Sequence, residues 1–162
     1  MPQTDTLMTM FRHHLWANLE LLAVCANLTD EQLNSQIVGG YGSISDTWQH
    51  IVSAERGYFS RISTGQQYRR PERAAPLTMA EMAESLRETG AGLIDWAPRV
   101  KAEDQVQIDW DGTLRNVPKA ILLTQSINHA TEHRAQIMAI LTQLGIEPPE
   151  LDGWMYFDQL AD

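Results

Sequence analysis

Two histidines four positions apart, His129 and His133, are the residues of this sequence best placed to do chemistry. They fall in an apolar-periodic stretch that follows Pro118 and ends before Gly145, which predicts a helix over 118–144. Residues four apart lie one turn above each other on the same helix face, so both imidazoles can converge on one ion. The same face carries the apolar stripe and should be buried. Two buried imidazoles need polar partners, which are either a shared metal ion or hydrogen bonds to neighbouring helices.

A third histidine, His50, lies in another predicted helix. Ser43 with Asp46 forms a capping-box pattern that begins this helix, which runs to about Ser63. His50 lies on the flank of the apolar stripe, where a side chain can reach across to a neighbouring helix. It could be a hydrogen-bonded polar residue or a metal ligand. Three imidazoles on one ion would leave coordination positions open, which is the pattern of catalytic rather than structural zinc sites.

The remaining pattern predicts two further long helices and a hairpin. Apolar residues at three- and four-residue steps predict a first helix over 5–26, with the adjacent His13 and His14 at its surface or rim. A short helical turn is predicted over 29–35 and a long connection over 64–77. A third long helix is predicted over 78–96, in which Gly90 and Gly92 indicate a close helix approach. Alternation over 105–117 around Asp111-Gly112 predicts a β-hairpin.

These elements predict one all-α domain over 1–162, built as a four-helix bundle. Its long crossover joins the second and third helices, and its small β-hairpin precedes the fourth. The aromatic tail, Trp154 to Phe157, should pack back onto the bundle or onto another subunit. Asn18 in the first helix needs a hydrogen-bond partner if it faces the core.

Composition excludes several classes of function. A formal net charge of −9 and a pI near 4.9 disfavour nucleic-acid binding, which draws on clustered basic residues. The single cysteine, Cys25, cannot form an intramolecular disulfide and is predicted to be an inert core thiol. We expect no signal peptide and no membrane span, since no apolar stretch approaches about 18 residues. The protein is therefore expected to be soluble and cytoplasmic.

Four alternative sites fail on their residue patterns. A closed structural zinc site would need more cysteines than Cys25. A di-iron carboxylate site requires Glu three residues before His, whereas Glu132 immediately precedes His133. Neither a nucleophile elbow nor a glycine-rich phosphate loop is present in the sequence.

Three motifs in this order resemble the DinB/YfiT-like superfamily over nearly the whole chain. They are Trp16-Ala17-Asn18, the run Gly42-Ser43-Ile44 to Thr47-Trp48-Gln49-His50-Ile51, and His129-(x)3-His133-Arg134-Ala135-Gln136. The resemblance implies an up-down-down-up four-helix bundle in which His50, His129 and His133 hold a divalent metal. The sequence departs from the family at Ala135, where glycine is common, and this change leaves the ligands untouched.

The resemblance implies a metal-dependent hydrolase or thiol S-transferase that acts on a small molecule. Zinc and nickel are the favoured metals, although neutral imidazoles suit zinc, nickel, copper and iron alike. The metal would activate water or a low-molecular-weight thiol cosubstrate. Asp46, Glu55, Glu132 and Arg134 are candidates for the shell around the ligands, and Arg134 or Arg56 could contact a cosubstrate thiolate.

The alternative is a non-catalytic metal-binding stress or interaction protein whose metal mainly stabilises the fold. A homodimer is expected under either hypothesis. No membrane or nucleic-acid partner is expected.

Overall fold

The computed structural model describes residues 5–71 and 74–160, and most of them are helical. In chain order the elements are α1 (Thr6–Cys25), α2 (Asp30–Leu33), α3 (Ile44–Thr64), α4 (Met79–Trp96), β1 (Gln105–Trp110), β2 (Thr113–Pro118), α5 (Lys119–Gln143) and α6 (Gly153–Gln159). A short 3-10 helix, Ala97–Arg99, extends α4.

Capping boxes begin three of the helices where the sequence predicts them. Ser43 pairs with Asp46 at the start of α3, and Thr78 pairs with Glu81 at the start of α4. Thr29 caps α2 in the same way, but this helix ends at Leu33, two residues earlier than predicted. Each box satisfies backbone N–H groups that the first turn of a helix leaves without partners.

The four long helices contact one another in pairs. α1 packs on α4 and α5, and α3 packs on the same two helices. The helices α3 and α5 are antiparallel, as two contacts between them show. Lys119 at the start of α5 donates to the carbonyl of Ile62 near the end of α3, at 2.7 Å. His129, further along α5, meets His50 near the start of α3.

Two glycines in α4 permit close packing, as the sequence predicts. A Cβ on Gly90 would lie 2.6 Å from Cδ1 of Leu15 in α1. A Cβ on Gly92 would lie 2.3 Å from ring atoms of Phe59 in α3. Leu15 and Phe59 therefore occupy the space that a side chain at position 90 or 92 would need.

The predicted hairpin forms a two-stranded antiparallel sheet. Val106 pairs with Val117 and Trp110 pairs with Thr113 across a turn at Asp111-Gly112. Both turn residues have positive φ, 51° and 84°, which this tight hairpin turn requires. Ile108 and Val117 pack on a core cluster centred on Phe11, Ile62, Leu93 and Leu123. The hairpin thereby covers one end of the helices.

The buried face of α1 is not wholly apolar. It comprises Phe11, His14, Ala17, Asn18, Leu21, Leu22 and Cys25. The prediction that His14 lies at the surface or rim is therefore wrong, because its side chain is fully buried. The reason is a partner on α3: Nε2 of His14 lies 2.7 Å from Oε2 of Glu55. His13 is only half-buried, and its Nε2 lies 2.8 Å from the carbonyl of Leu151.

The C-terminal segment returns to the helices through α6. The ring of Tyr156 packs against Trp16 at 5.4 Å and against His13 at 5.5 Å between centroids. Trp154 and Phe157 remain 79% and 63% exposed. Within the described ranges, none of the helices is both long and apolar enough to cross a bilayer.

Candidate metal centre

The fold brings together the three histidines that the sequence singles out. His50 comes from α3, and His129 and His133 come from successive turns of α5. One nitrogen from each ring lies within 4.8 Å of the other two. His133 is buried, whereas His50 and His129 are half-buried. The cluster therefore lies at the edge of the packed interior, with access from solvent.

The spacing of the ring nitrogens fits a shared ion. The Nε2 atoms of His50 and His129 are 2.9 Å apart, so one ring must present N–H to the bare nitrogen of the other. Three nitrogens bound tetrahedrally at about 2.0–2.1 Å lie roughly 3.3 Å from one another. Ring shifts of about 1 Å would bring the widest pair within that geometry. These three residues could thus hold a metal ion.

Gln136 fixes the orientation of one imidazole. Nδ1 of His133 lies 3.0 Å from Oε1 of Gln136. The same oxygen accepts the backbone N–H of Tyr41 at 3.2 Å. Because an amide oxygen only accepts, Nδ1 of His133 carries the hydrogen and its Nε2 keeps a free lone pair. Such outer hydrogen bonds set the tautomer of histidine ligands.

Tyr41 covers the cluster from the loop before α3. Its ring stacks on His50, with centroids 4.0 Å apart and planes at 14°. It also meets His133 edge-on at 5.3 Å. The tyrosine restricts how His50 can turn, and both residues line an open cavity.

The surroundings of His50 and His129 favour the neutral form of these two rings. Burial, with smaller contributions from the neighbouring rings of His133 and His50, lowers the pKa of His129 to about 4. Burial also lowers the pKa of His50, with a second contribution from His133. A metal ligand must be unprotonated, so this environment favours metal binding near neutral pH.

A buried hydrogen-bond network lies behind the cluster and joins the four long helices. Oε2 of Glu55 accepts from Asn18 at 3.2 Å and contacts His14, while the hydroxyl of Thr89 donates to Oε1. Arg134 donates to Oδ1 of Asn18 at 2.6 Å. Glu55 and Arg134 are both almost fully buried. Asn18 therefore has the partners that its core position demands.

The other candidate residues are dispersed. Asp46 accepts from Ser43 in the capping box and lines the same open cavity as His50, with a volume of about 520 Å³. Glu132 is exposed on the outer face of α5. Arg56 donates to Ser85 at 2.6 Å and to Glu88 at 2.8 Å. Because Arg134 is buried in the network, its guanidinium is not free to contact a cosubstrate from solvent.

Two contributors to the centre were not recognised from sequence. Gln136 follows the histidine pair by three residues, a spacing that places it beside His133 on the helix. That spacing could have identified it. Tyr41 stands in a Gly-rich loop whose path no periodicity predicts. The buried environment of Cys25 was recognised: burial raises the pKa of its thiol to about 11.

Comparison with known proteins agrees with this architecture. The sequence model of the DinB family matches residues 1–160. The crystal structure of a DinB-like protein from Bacillus cereus ATCC 10987 is similar, with a TM-score of 0.63 and 22% sequence identity over 89% of this chain and 94% of that one. At that identity the likeness concerns the fold alone. No curated protein matches the sequence. The match to the family over nearly all of its length shows that this chain belongs to the DinB family.

Proposed function

We propose that the protein is a metal-dependent enzyme in which His50, His129 and His133 hold a divalent ion, zinc or nickel. A divalent ion in such an open site supplies Lewis-acid activation of water or a thiol at neutral pH. The proposed reaction is therefore hydrolysis or thiol transfer on a small molecule. The observation that carries it is the convergence of three ring nitrogens within 4.8 Å of one another.

The surrounding residues support this proposal because they orient the imidazole rings of the ligands. Gln136 leaves Nε2 of His133 free to bind, and Tyr41 limits the rotation of His50. We propose that Glu55 and Arg134 act as outer-shell residues, because their network anchors α3 and α5 on either side of the ligands. Asp46 shares the open cavity with His50 and is the carboxylate that we propose exchanges protons with solvent there.

The proposal includes the arrangement of the helices and a low-molecular-weight thiol as cosubstrate. The opposite senses of α3 and α5 support an up-down-down-up four-helix bundle. We further propose a homodimer, for which the exposed Trp154 and Phe157 of α6 are the supporting observation. The cavity beside His50 is open to solvent and therefore accessible to a thiolate. Arg70 also lines this cavity and supplies a cation to pair with the thiolate.

Elemental analysis of the purified, tag-free protein tests the metal site. We expect close to one zinc or nickel ion per chain in the parent and almost none in His133→Ala, because two remaining imidazoles bind far more weakly. His13→Ala is the matched control, since His13 lies outside the cluster and should retain the ion. Circular dichroism establishes that each variant is folded. Equal metal contents in the parent and His133→Ala would contradict the site.

Turnover is tested separately on the metal-loaded protein, with ester and electrophile substrates offered alone and with low-molecular-weight thiols. Activity that survives complete metal removal would contradict the enzyme proposal.

A further inference from the structure

A groove opens between the hairpin and the helices, about two turns of α5 away from the histidine cluster. Its volume is about 610 Å³, within the usual range of small-molecule sites. Most of its lining is apolar and comes from three elements: Tyr58 of α3, Ile108, Trp110 and Val117 of the hairpin, and Ile121 and Leu122 of α5.

The groove lies next to the proposed metal centre along α5. Ile121, Gln125 and His129 recur every four residues along α5, so they share one face of that helix. The ring of Tyr58 meets His129 edge-on, with centroids 5.8 Å apart, and also lines the groove. A ligand in the groove would therefore extend past Tyr58 and Gln125 along this face of α5 to place its polar end at the histidines.

Two walls of the groove are apolar side chains that core packing leaves uncovered. Trp110 is 55% exposed and Ile121 is 56% exposed. The floor is formed by Leu122, which is buried, and by Val117, which packs on the adjacent core cluster. The guanidinium of Arg115 lies 5.1 Å from the centre of the Trp110 ring and restrains the indole. The walls are thus positioned before any ligand arrives.

The charges at the rim are mixed and do not select an ion. Arg61, Asp109 and Asp111 line the groove together, one cation against two anions. No strong single-sign field therefore points into it. The polar end of a ligand is better accommodated at the histidines, where coordinating nitrogens converge.

We infer that this groove binds the apolar chain or aryl group of a small-molecule substrate whose polar reacting group lies at His50, His129 and His133. The inference rests on the proposed function and specifies its substrate class. At a rise of 1.5 Å per residue, Ile121 lies about 12 Å along α5 from His129, and Gln125 about 6 Å. A chain must extend beyond about 6 Å from the metal to gain contact with the groove, and its benefit ends near about 12 Å.

Isothermal titration of the zinc-loaded, full-length protein with straight-chain hydroxamic acids tests the inference. The hydroxamate anchors on the metal, and chain lengths from two to about ten carbons measure the groove. We expect the Kd to change little for the shortest chains and then to fall roughly two- to fourfold per added methylene, because each one leaves water for an apolar surface. Affinity should level off once the chain fills the groove.

Two substitutions on exposed leucine or isoleucine residues separate the groove from a general surface effect. Ile121→Asp should abolish the gain with chain length while leaving the Kd of acetohydroxamic acid unchanged. Leu114→Asp is the matched control, because Leu114 is 63% exposed on the opposite face of the hairpin. Its chain-length dependence should match that of the parent.

A second measurement tests the groove without any metal. Amide chemical-shift changes caused by octan-1-ol in the metal-free protein should concentrate at Trp110, Ile121 and Leu122. No change there would overturn the inference, as would hydroxamate affinities that do not depend on chain length. Self-association that protects Trp110 and Ile121 would also overturn it. Failure of the metal site alone would appear as loss of acetohydroxamate binding with the octanol response retained.

Discussion

Single residues decide how firmly the ligands are held, and Glu55 has three buried side-chain contacts to lose. Its two oxygens contact side chains from α1 and α4, and Arg134 of α5 reaches it only through the amide of Asn18. The cation and the carboxylate are thus joined by a neutral intermediary inside the protein. Removing the carboxylate would take this acceptor from His14 and Asn18, whereas Thr89 would keep the carbonyl of Ser85.

Glu55→Ala should therefore lower the free energy of unfolding by roughly 3 kcal/mol, as expected when one member of a buried charged network is removed. Urea denaturation of the metal-free protein measures the change. Glu132→Ala is the control, because an exposed carboxylate of α5 should alter the value by no more than about 0.5 kcal/mol. Equal effects from both variants would show that the network contributes nothing specific.

Protonation of His129 gives a second prediction at this scale. Its pKa falls from an ordinary 6.5 to about 4 in the folded protein, mainly because of burial. Between pH 6.5 and about 4, the unfolded chain binds a proton at His129 that the folded protein does not bind. The free energy of unfolding should therefore decrease as pH falls through this range. An NMR titration of the imidazole resonances, with chelator present, should give a midpoint for His129 well below that of the exposed model group. A midpoint near 6.5 would contradict the described environment.

Four-residue spacing and stripe position select His129 and His133 from the sequence, because these are local properties. His50 was expected to be a ligand because of the family resemblance. The sequence was insufficient for His14. A buried imidazole is favourable only when a partner from another helix is present, and Glu55 is 41 residues away in the chain. Periodicity alone assigns such a residue to the surface.

At the level of elements, α4 packs closely on α3 because Gly92 has no side chain. Gly92→Ala should destabilise the protein by about 1–3 kcal/mol, because the new methyl group would overlap the ring of Phe59. The matched control is Gly57→Ala in the middle of α3, where a Cβ meets only the flexible end of Arg61 at 3.3 Å. That variant should be neutral or gain up to about 1 kcal/mol from helix propensity.

Thermal denaturation of both glycine variants provides the comparison. A stabilised Gly92→Ala would mean that α3 and α4 do not approach as closely as described.

Element boundaries were predictable where local chemistry determines them. The capping boxes at Ser43 and Thr78 and the Asp111-Gly112 turn satisfy backbone groups within a few residues, so the sequence contains the whole interaction. The buried face of α1 was only partly predictable, since it is set by which helices pack against it. The cover that Tyr41 gives to His50 depends on a loop path and on long-range contacts in the same way.

For the whole molecule, the proposed ion would join two of the four long helices, while the network of Glu55 joins all four without it. We therefore expect the chelated protein to remain folded at 25 °C. With free metal at about 100 times its Kd, the bound ion should add about 2.7 kcal/mol. That gain should raise Tm by roughly 5–10 °C in a chain of this size.

Differential scanning calorimetry with and without chelator measures this shift, with His133→Ala as the control that should not respond. Unfolding on chelation at room temperature would instead favour the alternative of a metal whose purpose is structural.

The distribution of the three histidines along the chain also has a consequence for how the protein folds. His129 and His133 are brought together as soon as their own turn of α5 forms, a process of about a microsecond or less. His50 is 79 residues away from His129, so its arrival requires closure of a long loop. An ion captured early would be held by two nitrogens only. We expect tight retention to begin when α3 docks on α5, which makes metal uptake a late event in folding.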